Sequence, residues 1–155
     1  KITDHPSIDT SPSYSPDGDF ITFESDRSGS QKIYVMNLKT KKIKRISFGE
    51  GKYATPVWSP RGDLIAFTKL LGGEFYIGVM YTDGKGERVV YKSYLVEGPT
   101  WSPNGRVLSF YSQTKFSKGK ISSPKIKLVD LTGVNLRELI TPSDASDPSW
   151  SGLLP

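Results

Sequence analysis

The stretch Pro56-Val57-Trp58-Ser59-Pro60-Arg61-Gly62 decides the fold, because it recurs. An earlier copy reads Pro12-Ser13-Tyr14-Ser15-Pro16-Asp17-Gly18, and a later one reads Pro99-Thr100-Trp101-Ser102-Pro103-Asn104-Gly105. A truncated fourth copy, Pro148-Ser149-Trp150-Ser151-Gly152, lies near the C-terminus. The prolines that open these copies stand 44, 43 and 49 positions apart. A period of about 40–45 residues accommodates four short strands with their turns.

The likeness runs on into each unit. Three residues past the glycine comes Ile21, Ile65 or Leu108, and two further on Phe23, Phe67 or Phe110. Between them stands a smaller residue, Thr22, Ala66 or Ser109. Alternation of this kind is the period of a strand. A third strand is marked by Ile33 with Val35, Ile77 with Val79 and Ile126 with Leu128, and a fourth by Ile46, Val90 and Leu139. The Ser-Pro-Asp-Gly, Ser-Pro-Arg-Gly and Ser-Pro-Asn-Gly segments supply Pro where φ near −65° is wanted and Gly where φ is positive. Lys39-Thr40, Asp83-Gly84 and Thr132-Gly133 turn the third strand into the fourth. No stretch keeps apolar residues at helical spacing free of Gly and Pro.

A four-stranded sheet with two partly apolar faces buries both only by stacking on similar sheets about an axis. The sequence therefore predicts an all-β fold, a β-propeller with three four-stranded antiparallel blades in units 12–55, 56–98 and 99–147. Residues 148–155 are expected to add one extra innermost strand. Tyr14, Trp58, Trp101 and Trp150 hold one position in successive copies, and we expect them in the packing between blades. Each such burial is worth about 2–3 kcal/mol. Propellers typically have four to eight blades, so three units are too few to close a ring and a larger one extending N-terminally is expected. The chain starts at Lys1, without an initiator Met or signal peptide, as expected of a processed or internal segment. Bare apolar faces on a half-ring raise the expectation that two copies pair.

Composition narrows function further. Among 155 residues there is no cysteine, so disulfides and thiolate metal sites are excluded. No apolar run approaches the roughly 20 residues of a membrane span. The net charge of +5 gathers in two clusters, Lys39, Lys41, Lys42, Lys44 and Arg45, then Lys115, Lys118, Lys120, Lys125 and Lys127. On hairpins and outer strands such lysines keep sheet edges from pairing with other chains. No nucleic-acid-binding motif accompanies them.

Catalytic readings find no support. His5 is the sole histidine and stands beside Pro6, a poor setting for the base of a triad. There is no Gly-x-Ser-x-Gly elbow and no phosphate-cradling loop. Asp17 with Asp19, and Asp144 with Asp147, read as turn carboxylates bonding their own backbone. Asp26-Arg27 reads as a hairpin salt bridge or cap. No catalytic residue, metal site or cofactor is expected.

The Pro-x-Trp-Ser-Pro-x-Gly blades resemble those of the TolB family, periplasmic propellers of the Tol–Pal envelope system. Ser25-Asp26-Arg27-Ser28-Gly29 before Ile33-Tyr34-Val35-Met36 is similar to the family's second hairpin. The opening from Asp4 to Pro12 looks like its inter-blade loops, and the run from Thr141 to Ser151 like its C-terminus. The long hairpin Thr114 to Lys125 departs from the pattern, as does Gly152 where Pro is usual. The resemblance covers the second half of a six-bladed ring. It implies a non-catalytic scaffold of the periplasm, serving envelope integrity and cell division, that docks Pal, the peptidoglycan-associated lipoprotein. TolA would be met through an N-terminal domain absent here. Neither nucleic acid nor direct membrane insertion is implied. Similar blades occur in the propellers of prolyl-oligopeptidase-like and tricorn-type peptidases, which is the alternative reading. Residues entering each innermost strand would form the docking face: His5, Asp9, Thr10 and Ser11; Lys52, Tyr53, Ala54 and Thr55; Val96, Glu97 and Gly98; Ala145, Ser146 and Asp147.

Overall fold

A computed structural model describes residues 2–152. Among them, twelve strands form three four-stranded antiparallel sheets, and there is no helix. The first blade contains β1 (Asp9–Tyr14), β2 (Phe20–Ser25), β3 (Lys32–Asn37) and β4 (Ile43–Arg45). The second contains β5 (Lys52–Trp58), β6 (Leu64–Leu71), β7 (Glu74–Tyr81) and β8 (Arg88–Ser93). The third contains β9 (Leu95–Trp101), β10 (Val107–Gln113), β11 (Lys125–Asp130) and β12 (Arg137–Leu139). Each sheet is a meander whose strands neighbour in sequence order. Among the described residues, no helix is long and apolar enough to cross a membrane.

The repeated turn is what folds each first strand onto the second. Gly18, Gly62 and Gly105 take φ of 77°, 80° and 66°, and their N–H groups donate to the carbonyls of Ser15, Ser59 and Ser102 at 2.9, 2.9 and 2.8 Å. The serine hydroxyls hold the first and third turns from inside, accepting from the N–H of Phe20 and of Val107. Asp17 and Asn104 bond the same serines, so these side chains act in turns, as read from the sequence.

The blades stack through their inner strands, with β5 against β1 on one side and β9 on the other. Ile33 and Ile46 of the first blade bury against Trp58, Ile65, Phe67 and Met80 of the second. Leu64, Ala66, Val79 and Val90 of the second bury against Trp101, Leu108, Phe110 and Val129 of the third. Each inner-strand aromatic thus faces the blade before it. Trp58 and Trp101 are 8% and 5% exposed, and Phe20 stacks on Trp58 at 6.2 Å between ring centroids.

Two of the four aromatics depart from the expected burial. Tyr14 is 58% exposed, because no blade precedes its own in this chain. Trp150 is also exposed, and Pro148 to Gly152 adopts no strand, since no sheet stands there to pair with it. This segment instead reaches the turn end of the blades, where Trp150 shares a groove with Tyr14, Trp58 and Trp101. Residues 153–155 of the expected closing strand lie outside the described residues.

The two outer faces differ. Ile21, Phe23, Tyr34 and Met36 on the free side of the first blade are buried rather than bare. The Arg27 guanidinium covers the Phe23 and Tyr34 rings, 5.1 and 5.0 Å from their centroids. At the other end, Leu139 is 50% exposed while its counterparts Ile46 and Val90 are 1% and 7% exposed. The difference is the absent next sheet. Trp58→Ala or Trp101→Ala is expected to lower unfolding free energy by about 3–5 kcal/mol, and Tyr14→Ala by less than about 1 kcal/mol. Urea titration followed by circular dichroism measures all three, and equal losses would refute the assignment of faces.

Candidate functional site

Every inner strand is broken at one place. Ser11, Thr55 and Gly98 have φ of 51°, 46° and 66°, and Asp147, which lies in no strand, has 50°; each directly precedes the proline that opens a repeat. Left-handed backbone is disfavoured for non-glycine residues, most of all for a β-branched one. The strand pairing shifts here, between Thr10 and Ser13, between Ala54 and Val57, and opposite Ser109 to Tyr111. A bulge of this kind bends the strand and frees backbone groups that a ladder would use. It falls mid-strand, at the third residue of β1 and the fourth of β5 and β9, and the half of each strand before it runs to the end opposite the Ser-Pro-x-Gly turns.

Surrounding side chains hold the bulge. Glu24, buried on β2, accepts from Thr10 Oγ1 at 2.5 Å and from the Thr55 N–H of the next blade at 2.8 Å. One carboxylate therefore satisfies the donor released by the bulge and ties two blades together. The Thr55 and Thr68 hydroxyls bond each other at 2.7 Å.

Further out on the same seam lies a second lock. Lys32, buried, donates its Nζ to the carbonyls of Gly49 and Gly51 at 2.8 and 2.7 Å, fixing the connection into β5. Tyr53 lies between two ammonium groups, Lys32 at 4.9 Å and Lys69 at 4.7 Å from its ring centroid. Its hydroxyl donates to Glu87, which pairs with Lys69 at 2.7 Å. Burial, with the charges of Arg45 and Lys69, lowers the Lys32 pKa. For Lys69 burial acts downward, but bonds to Glu87 and Tyr53 outweigh it and raise the pKa.

Most of the residues expected at the docking face fall into three groups. Thr55, Glu97, Gly98, Ser146 and Asp147, from three successive repeats, converge on one cavity of about 310 Å³, completed by Tyr111, Gln113 and Pro124. Burial, then Glu97, then Asp147 raise the Tyr111 pKa, and its hydroxyl donates to Glu97 at 3.3 Å. Thr10 and Lys52 meet at a second polar cavity with Glu24, Ser25, Asp26 and Gln31. Tyr53 and Val96 do not reach the surface: both are fully buried between blades, where their alternation directs them. His5 is exposed and accepts from the Ser7 N–H through Nδ1. Ala145 ties the last segment to the third blade by donating its N–H to Pro124 O at 3.4 Å. Ala54 is half-buried beside the bulge.

Arg27 pairs with Asp9, not with the adjacent Asp26, at 2.8 Å. Asp26 is used elsewhere, accepting from the Ile8 N–H. The hairpin projects Arg27 back over its own sheet, where the two aromatic rings receive it. Burial would raise the Asp9 pKa, yet bonds from Ser25, Thr3 and Arg27 prevail and lower it. Sequence reasoning missed Glu24 altogether. The available signal was a carboxylate on a strand whose other positions are apolar or small, where later units place Thr68 and Tyr111. Among the described residues, no three His, Cys, Asp or Glu side chains gather as a metal site.

The family model described as the TolB beta propeller domain matches residues 1–154. This chain belongs to the TolB propeller family. It is 49% identical over 106 residues to the Tol-Pal system protein TolB of Gluconobacter oxydans, covering 68% of this chain and 23% of that protein. With TolB of the Wolbachia of Drosophila simulans it shares 53% over 123 residues, 78% of this chain and 28% of the relative. The matched part of this TolB-family chain thus spans about a quarter of those relatives. They are named for a component of the Tol-Pal system and not for a catalytic activity. The crystal structure of TolB from Acinetobacter baumannii superposes with a TM-score of 0.76 at 24% identity, over 94% of this chain and 36% of that one. That likeness supports the fold.

Three outcomes follow from the site. Glu24→Ala is expected to cost about 2–3 kcal/mol, whereas Ser11→Gly, which relieves left-handed strain, should add roughly 0.5–1 kcal/mol; chemical denaturation reads both. The depressed Asp9 pKa stabilises the fold fully above the ordinary value of 3.8, and this contribution is lost as pH falls through the lower folded value. The stability gap between wild type and Asp9→Asn should therefore be present at neutral pH and close in acid. A gap independent of pH would show that the charge of Asp9 is not what stabilises.

Proposed function

We propose that the end of the blades at which the chain enters the inner strands, above the bulges, is a protein-docking face, and that its partner in the Tol-Pal system is a Pal-like peptidoglycan-associated lipoprotein. The observation that carries this reading is the convergence of Thr55, Glu97, Gly98, Ser146 and Asp147 from three repeats on one polar cavity. Loop ends on a rigid scaffold are where propellers build binding surfaces. The partly strained backbone beneath is held by Glu24 and Lys32, so the face is preorganised and loses little entropy on binding. Membership of the TolB family supports the Tol-Pal assignment.

On this reading the chain works in the periplasm as part of a six-bladed ring, and serves envelope integrity and cell division without catalysis. TolA would be met through a separate N-terminal domain. The exposed Leu139 and its neighbour Ile140 on the open side of the third blade are the surface through which two half-rings would pair. The test is a binding titration of the chain with the periplasmic domain of a Pal-like lipoprotein. Glu97→Lys with Asp147→Lys is expected to weaken binding by roughly tenfold or more. Unchanged affinity, with the fold intact by circular dichroism, would refute the cavity as the docking site.

A further inference from the structure

The connections between second and third strands are unequal in the three blades. They occupy residues 26–31, 72–73 and 114–124. The third is a structured hairpin, with Lys115 bridging to Ile121, the Phe116 N–H bonded to Lys120 O and the Gly119 N–H to Phe116 O. It presents Lys115, Lys118 and Lys120 to solvent together with exposed Phe116 and Ile121. Among the described residues no carboxylate pairs with any of the three lysines. Edge protection does not account for this arm, because it extends beyond the ends of β10 and β11 instead of lying along an outer strand.

The arm is rooted in the wall of the cavity that holds Glu97 and Asp147. Gln113 and Pro124 line that cavity, the Gln113 amide donates to Ser122 O at 3.0 Å, and the Thr114 N–H donates to Ser122 Oγ at 2.9 Å. The arm thus springs from that wall; of its lysines, Lys115 lies over the Tyr94 ring at 5.3 Å, while Lys118 and Lys120 stand exposed. We infer that the 114–124 hairpin is an electrostatic arm of the docking face that receives an acidic patch of a protein partner, with Phe116 as its apolar anchor. This rests on the docking reading above for the partner's identity, but not for its chemistry. Charge complementarity of this kind acts mainly on the rate of association and on the orientation of the complex.

The experiment compares wild type, an arm variant (Lys115→Glu, Lys118→Glu, Lys120→Glu) and a control variant (Lys39→Glu, Lys41→Glu, Lys42→Glu) with the same change in net charge at the other end of a blade. Stopped-flow association with a Pal-like lipoprotein domain is expected to slow roughly tenfold or more for the arm variant at low salt. The control should change far less, and the gap should close near 1 M salt, where screening is short-ranged. In parallel, a synthetic glutamate-rich peptide with one leucine is titrated into the labelled chain, and amide shifts should map to 115–121. Equal slowing in both variants, or no peptide shifts on the hairpin, overturns the inference. Capture of the chain by anionic vesicles, abolished in the arm variant while the peptide fails to bind, overturns it in favour of a membrane surface. If the lipoprotein domain does not bind wild type but the peptide maps to the arm, the docking partner is refuted and the acidic-patch arm stands.

Discussion

Everything in this molecule depends on the contact between one sheet and the next. A single four-stranded blade has apolar residues on both faces and no helix to cover either. Trp58 against the first blade and Trp101 against the second supply the largest aromatic surface at these seams. Their burial is reinforced by polar groups that cross the same boundaries. Glu24 reaches the Thr55 N–H, Ser13 Oγ accepts from the Trp58 N–H, and Trp101 Nε1 donates to Val57 O. Apolar contact supplies the driving force, and these directional bonds set the register between neighbours.

The hairpins joining third and fourth strands obey the same constraint. A Cβ on Gly84 would stand 2.1 Å from Ile46 O of the preceding blade, and one on Gly133 3.0 Å from Val90 O. Both glycines have positive φ as well, so turn geometry and close approach make the same demand. In the first blade, which meets no earlier sheet in this chain, the corresponding hairpin has Lys41 at φ 58°. Glycine is used where a neighbour presses.

The blades were legible in the sequence because their signals are local and repeated. Strand alternation, the proline–glycine turn and the spacing of the aromatics all point to one fold. Features set by absolute position in the stack were less legible. Tyr14 and Trp150 match the repeat as well as Trp58 does, yet burial depends on whether a neighbour exists, which one copy of a motif does not encode. The docking face was half legible. Entry residues such as Glu97, Ser146 and Asp147 gather as their positions suggest, but Tyr53 and Val96 alternate inward. The left-handed residues before each proline were hidden, since Ser11, Thr55 and Asp147 are not the glycine such backbone prefers. Arg27 and Glu24 act across long sequence separations, which periodicity does not report.

The unequal loops between second and third strands, from the two-residue span 72–73 to the long one at 114–124, carry a lesson about variation. They leave the stack at a margin where added chain meets solvent, so lengthening one there disturbs no packed layer and costs little closure entropy. The inner strands, by contrast, pack on one another from blade to blade, so an insertion within them would break a seam. Such a scaffold can acquire new recognition surfaces by growth at its margin while the geometry of its centre is inherited unchanged.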